Sequence, residues 1–280
     1  MLTHLVLSGG GPNFICHLGI LKEVLACRSV DLQACFATSS GTLVAILMGM
    51  RVPIDDMIAY FLDRPWDKWM RVKRTGLEMS FCDSHMLHEV AAPFMNAMNV
   101  SLDITFQEFY ERFGVDLHFF ACEVQAFRTV DFCRATYPDA RILEAGIMSS
   151  SLPPMFEAHL FQDKYFIDGG VSTNFPLLAC LEHASHENVL ALCHVFPEGD
   201  FKPTALGIMA HVFNKVFAHM NSSEQVEAEA LKCTYITTNT YSMADPELWR
   251  RFFESRETRT ELLENGRAAA VAYFTGAERC

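Results

Sequence analysis

Three short stretches of this 280-residue sequence carry residue types that could do chemistry together. The first is Gly9-Gly10-Gly11, between an apolar run and a helical pattern that starts near Phe14. Consecutive glycines let backbone N–H groups point outward with no Cβ in the way, and a following helix adds partial positive charge. Such a loop suits an anion, either a phosphate or the oxyanion of a tetrahedral intermediate. The second is Ala37-Thr38-Ser39-Ser40-Gly41. It follows the nucleophile-elbow pattern G-x-S-x-G with Ala in the first position, which would hold Ser39 at a strand-to-helix turn. The third is Asp168-Gly169-Gly170, a carboxylate at the end of an apolar run. Each has a plainer reading, as a tight turn, a serine cap and an Asp-Gly turn respectively. Together they offer a nucleophile, a base and an anion hole.

The elements that must position them follow from the hydrophobic pattern. Residues 2–8 read as a strand ending in the glycines, 14–26 as a helix, 31–37 as a strand ending in the serine elbow, and 42–50 as an apolar helix. Strand, helix, strand, helix with short turns is the rhythm of a mostly parallel sheet covered on both faces. In such a sheet, strand ends gather at one crevice. Further strands are expected at 116–122, 128–133, 165–170, 189–195 and 234–238, and long helices at 205–230 and 245–274. Residues 52–112 read as mostly helical, a cap or insertion. There is no repeat and no linker-like stretch, so one α/β domain over 1–280 is the expectation.

Composition narrows the function classes. Half the residues are hydrophobic and the net charge is −12, spread over both halves of the chain. No basic face is available to follow a phosphate backbone, so nucleic acid is not an expected partner. The glycine loop lacks the third glycine of a dinucleotide fingerprint, where Phe14 stands, and the Gly-Lys-Ser/Thr of a Walker loop. Ten cysteines are scattered without a C-x-x-C pair, so no zinc framework is visible and a reducing compartment is expected. The N-terminus lacks a basic n-region, and the longest apolar stretch, 43–50, falls short of the ~20 residues of a spanning helix. A cytoplasmic protein that touches membranes peripherally fits these features. The candidate membrane contact is Trp66, Lys68, Trp69, Arg71, Lys73 and Arg74, where two indoles are interleaved with four cations against Asp67. An amphipathic helix with its tryptophans in the core is the alternative. His183, His186 and His194 follow Asp168 and allow the chain order of a Ser–Asp–His triad, though nothing in the sequence selects one. His17, near the glycine loop, could tune it or simply pack.

The order of these motifs resembles the patatin-like phospholipases. Gly9-Gly10-Gly11, His17-Leu18-Gly19, Ser39 in its elbow and Asp168-Gly169-Gly170 carry the resemblance. The serine- and proline-containing stretch 145–153, Asn174 and Pro176 after the aspartate, and Gly266 in the closing helix extend it. The resemblance implies a three-layer α/β/α fold and hydrolysis of phospholipid or other acyl-ester lipid. It also implies a Ser39–Asp168 dyad, an oxyanion hole from Gly9, Gly10 and Gly11, and no metal or organic cofactor. Three positions depart from the family pattern: Asn13 replaces a cation, Phe14 a glycine and Ala37 a glycine. They motivate an alternative, a weak or inactive lipid-binding relative. An acyltransferase using the same serine is a further alternative, and a nucleotide-binding protein a distant one.

Overall fold

Residues 2–7 are apolar at four of six positions, with Thr3 and His4 the exceptions, a pattern that suits a strand covered on both faces. In the computed structural model they form the inner strand β1 (Leu2–Leu7). The structure describes residues 1–75, 78–82, 86–153, 155–196, 229–239 and 246–276, with isolated positions between 208 and 226; over 69–82 it describes the backbone course alone. After β1 the chain turns through the glycines into α1 (Phe14–Cys27), returns as β2 (Val30–Thr38), and enters α2 (Gly41–Gly49). Then come α3 (Ile54–Asp63), a 3-10 turn (Trp66–Trp69), a hairpin of β3 (Met70–Thr75) and β4 (Glu78–Cys82), α4 (Met86–Ala97) and α5 (Phe106–Phe113). The region expected to be mostly helical thus includes a two-stranded antiparallel sheet of its own. Its Lys/Arg-rich strand had read as one face of a helix.

The main sheet continues with β5 (Asp116–Glu123), β6 (Arg128–Phe132), β7 (His159–Phe161), β8 (Lys164–Asp168), β9 (Val189–Val195) and β10 (Thr234–Asn239). Their order is β10-β9-β1-β2-β5-β8-β7, with β6 also paired to β5. The run from β10 to β5 is parallel, while β6, β7 and β8 join antiparallel. The remaining described helices are α6 (Ile142–Ser150), the short α7 (Gly170–Thr173) and α8 (Leu177–Leu181), α9 (Pro246–Glu254) and α10 (Arg256–Thr275).

Alternation along the strands divides the core into two layers. Leu5, Leu7, Cys35, Ala37, Leu117 and Phe119 face the larger cluster under α1, α2 and α10. Val6, Ala34, Phe36, Phe120 and Ala191 face the smaller cluster with Phe175, Leu177 and Cys180. The fold is therefore a three-layer α/β/α sandwich around a mostly parallel sheet. On the larger face α1 meets α10 at two glycines. A Cβ on Gly19 would lie 2.2 Å from the Leu263 carbonyl oxygen, and one on Gly266 2.0 Å from that of Cys16, so the helix backbones touch there.

The single helix expected over 245–274 is broken at Ser255. Its hydroxyl accepts from the Thr258 N–H and caps α10. The buried Arg259 donates to the carbonyls of Phe252 and Leu62, satisfying the end of α9. The helix expected over 205–230 lies largely outside the described residues. Among the described residues no helix is long and apolar enough to cross a membrane.

Candidate active site

Ser39 stands at the junction of β2 and α2 with φ = +54°, a left-handed conformation that a serine adopts at a cost. Local packing holds it there. Ala37 is fully buried, and a Cβ on Gly41 would come within 3.0 Å of Leu7, so strand and helix pass as close as an elbow requires. The Thr42 N–H and hydroxyl both donate to the Ser39 carbonyl, at 2.9 and 2.7 Å. The Ser39 N–H donates to the Ser149 hydroxyl at 2.8 Å, which in turn donates to the Phe120 carbonyl at 2.6 Å.

Asp168 reaches the same point from the opposite direction. β6 occupies one edge of β5 over Phe119–Glu123, β2 pairs with Asp116–Phe120, and β8 pairs with Ala121–Glu123. A strand has two edges, so β2 and β8 share the other one and approach end to end. Thr38 stops opposite Phe120 and Asp168 stops opposite Ala121. The residues just past that junction meet: Ser39 Oγ donates to Asp168 Oδ2 at 2.6 Å. The second carboxylate oxygen accepts the Gly170 N–H at 2.7 Å. The chain must bend sharply here, and Gly169 permits it, since a Cβ would lie 2.0 Å from the Phe120 carbonyl.

Asp168 is 1 % exposed. Burial pushes its carboxyl up to about 7, against the opposing pull of the Ser39 and Gly170 hydrogen bonds. That value suits a base working near neutrality. Neither carboxylate oxygen has a histidine partner among the described residues.

The glycine loop lies beside this pair. Gly11 has φ = +51°, a region that favours glycine. The Gly9 N–H donates to the Asn174 carbonyl at 3.1 Å, and the Asn174 side-chain amide donates back to the Gly9 carbonyl at 3.3 Å. Gly9 is thus an anchor whose donor is already engaged, a correction to its place in a three-donor hole. The N–H groups of Gly10 and Gly11 have no protein acceptor among the described residues. Behind the loop, His194 packs against Gly10 so closely that a Cβ there would lie 2.2 Å from the ring. The ring stacks on His17 with centroids 4.0 Å apart, and its Nδ1 pairs with the Thr238 hydroxyl at 2.8 Å. Burial pushes His194 down to about 3 and His17 well below its ordinary value, so both rings are neutral. His194 therefore backs the loop. His183 lies beside His118 on the sheet's smaller face, and the His186 imidazole pairs with Glu229.

In front of Ser39 and Asp168 opens a pocket with about 810 Å³ of empty space, its mouth included. Gly11 and Ser151 line it, and Phe14, Leu43, Trp66, Val90, Ile147 and Phe252 make an apolar wall. Phe14 turns its side chain into the pocket lining. Its ring packs edge-on to Phe61, centroids 5.0 Å apart, and forms part of the wall. Trp66 is a second wall residue. It is 2 % exposed and its indole N–H donates to the Phe61 carbonyl at 2.9 Å, which corrects its assignment to a membrane-facing surface. Lys68 is exposed, and the side chains of Trp69, Arg71, Lys73 and Arg74 lie outside the described residues.

Sequence reasoning picked out Ser39, Asp168 and the glycines, but not the roles of Ser149, Asn174 and His194. Ser149 and Asn174 sit in stretches with recognisable motifs. The role of His194 had no local signal, because it depends on strand β9 lying beside β1.

Comparison with known proteins finds relatives of this chain. The probable lipid hydrolase 463L of invertebrate iridescent virus 6 is 25 % identical over 194 residues, covering 66 % of this chain and 65 % of the viral protein. Triacylglycerol lipase 4 of Saccharomyces cerevisiae is 25 % identical over 229 residues, covering 70 % of this chain and 24 % of the lipase. The chain thus spans less than two thirds of either relative's length. Among solved structures, VipD from Legionella pneumophila superposes with a TM-score of 0.59 at 13 % identity, covering 98 % of this chain and 67 % of VipD, a likeness of fold. The sequence profile of the patatin-like phospholipases matches residues 5–181, and the chain belongs to that family.

Proposed function

We propose that this protein is a lipid acyl hydrolase that cleaves fatty-acyl esters, phospholipid foremost, through Ser39 and Asp168. The 2.6 Å hydrogen bond from Ser39 Oγ to the buried Asp168 carboxylate, at the mouth of an apolar pocket, carries this reading. Asp168 takes the hydroxyl proton as Ser39 Oγ attacks the ester carbonyl carbon. The carbonyl oxygen becomes an oxyanion that accepts from the N–H groups of Gly10 and Gly11. Collapse breaks the ester C–O bond, and the departing alcohol takes the proton from Asp168. Water then attacks the acyl-serine, giving its proton to Asp168, and the second collapse releases fatty acid and restores Ser39. Every step uses groups of this chain and water. One domain holds all of these groups in this reading, with residues 52–112 capping the pocket.

Phosphatidylcholine vesicles and a short-chain nitrophenyl ester test it. Wild type is expected to release fatty acid and to be labelled by a fluorophosphonate probe. Ser39→Ala is expected to lose the label and about 10³-fold or more of kcat. Turnover that survives Ser39→Ala overturns the mechanism. Vesicle binding by an unlabelled, inactive wild type would assign a lipid-binding relative instead.

A further inference from the structure

The hairpin of β5 and β6 assembles a second cluster, on the sheet face away from α1 and α2. Antiparallel pairing sets Phe119 opposite Phe132 and Phe120 opposite Asp131, so one step further His118 falls opposite Cys133. Alternation then turns His118, Asp131 and Cys133 to one face. Their ligand atoms, one imidazole nitrogen, one carboxylate oxygen and one sulfur, all lie within 4.8 Å of one another. His118 Nδ1 and Asp131 Oδ2 are 2.8 Å apart. The other Asp131 oxygen is buried without a hydrogen-bond partner. Two of the three side chains are held by packing. His118 and Cys133 are 5 % and 2 % exposed, and the His118 ring is fixed by stacking on Phe36 with centroids 4.1 Å apart. Asp131 is partly open to solvent, and the exposed His183 ring sits 5.2 Å from the His118 ring.

We propose that His118, Asp131 and Cys133 bind a Zn²⁺ ion, with water or His183 completing the coordination. The mixed N, O and S donor set selects the metal class, since thiolate and imidazole together exclude Mg²⁺ and Ca²⁺. Tetrahedral zinc with ligands at about 2.0–2.3 Å places donor atoms roughly 3.3–3.8 Å apart. The cluster reaches that geometry if the His118–Asp131 hydrogen bond opens slightly and the sulfur closes in. Binding is a substitution: Zn²⁺ takes the place of the Cys133 thiol proton and of the proton between His118 and Asp131, and both protons go to solvent. The role is that of a clip. β5 carries the Phe120 carbonyl that holds Ser149 and pairs with the strand that delivers Asp168, so a metal across β5 and β6 would stiffen the support of Ser39 from behind.

Chelator-stripped, fully reduced protein titrated with Co²⁺ alone provides the test. One equivalent is expected to give a thiolate-to-cobalt charge-transfer band in the near ultraviolet, displaced by Zn²⁺. Cys133→Ser should abolish the band, and Asp131→Asn, at a partly exposed position, should weaken binding at least tenfold with circular dichroism unchanged. Cys27→Ser, which removes an exposed thiol, should leave the titration unaltered. Equimolar Zn²⁺ is expected to raise the Tm of wild type and not of Cys133→Ser. No charge-transfer band in wild type, or a band that persists in Cys133→Ser, overturns the assignment. Neither readout depends on lipid hydrolysis, so it stands or falls apart from the function of Ser39.

Discussion

At the residue scale, the proposed chemistry rests on a carboxylate kept almost dry. In the proposed mechanism Asp168 removes a proton near neutral pH, a role that fits a carboxyl raised by burial to about 7 while Ser39 and Gly170 hold its two oxygens in place. The sign of the resulting pH dependence follows. Between the unfolded carboxyl value and about 7 the folded state binds the extra proton, so Asp168 stabilises the fold at low pH and that contribution is lost as pH rises through 7. Activity runs the other way, because only the ionised form is a base. The acid limb of kcat/KM is expected to have its midpoint near 7. Asp168→Asn should abolish turnover yet melt a few degrees above wild type at pH 8, with the gap narrowing toward pH 5. Paired pH–rate and pH–Tm profiles check both, and an Asn variant less stable than wild type at pH 8 would show that the carboxylate's hydrogen bonds outweigh its desolvation.

At the element scale, two contacts set the framework. The first is the end-to-end meeting of β2 and β8 on one edge of β5, which turns residues 129 positions apart into hydrogen-bonded neighbours. The second is the contact of α1 with α10 at Gly19 and Gly266. A methyl group on Gly19 would meet backbone atoms, the Leu263 carbonyl at 2.2 Å and the Arg267 nitrogen at 2.9 Å, and backbone cannot rotate away as a side chain would. Gly19→Ala is expected to cost about 1–3 kcal/mol and lower Tm by several degrees. Turnover per folded molecule should persist, because the contact lies away from Ser39. Adding Gly266→Ala should cost less than a second full increment, since both act on one interface. Thermal melts of the two single variants and the double variant decide it.

At the scale of the whole molecule, the net charge of −12 opposes docking on an anionic surface. Trp66 belongs to the pocket wall, so it adds nothing to a membrane grip. Hydrolysis at low ionic strength is expected to be faster on zwitterionic than on strongly anionic vesicles, and added salt should close the difference as the field is screened. Initial rates on vesicles of graded anionic content measure this. A preference for anionic vesicles, abolished by neutralising Lys68, Arg71, Lys73 and Arg74, would instead give that stretch control of docking.

Much of this was legible in the sequence. Apolar runs with period two or 3.6 located β1, α1, β2, α2, β5, β6, β8, β9 and β10, because burial writes that periodicity into the chain. The elbow at Ser39, the glycines and Asp168-Gly169-Gly170 were visible because strained turns restrict residue type locally. The β3–β4 hairpin and the break at Ser255 were not. The hairpin's cations mask its alternation, and the break depends on Arg259 reaching carbonyls of a different helix. The expectation that Asp168 lies at the parallel-strand crevice named the right place by the wrong route, since β8 runs antiparallel. What the sequence by itself determined is the set of reactive groups and the elements that carry them. Which of those groups touch was decided by strand register, a property of pairs of distant segments. The motif resemblance had paired Asp168 with Ser39, but only the tertiary structure gave the hydrogen bond between them, removed the Gly9 N–H from the donors, turned Trp66 inward, and placed His118, Asp131 and Cys133 on one face of a hairpin.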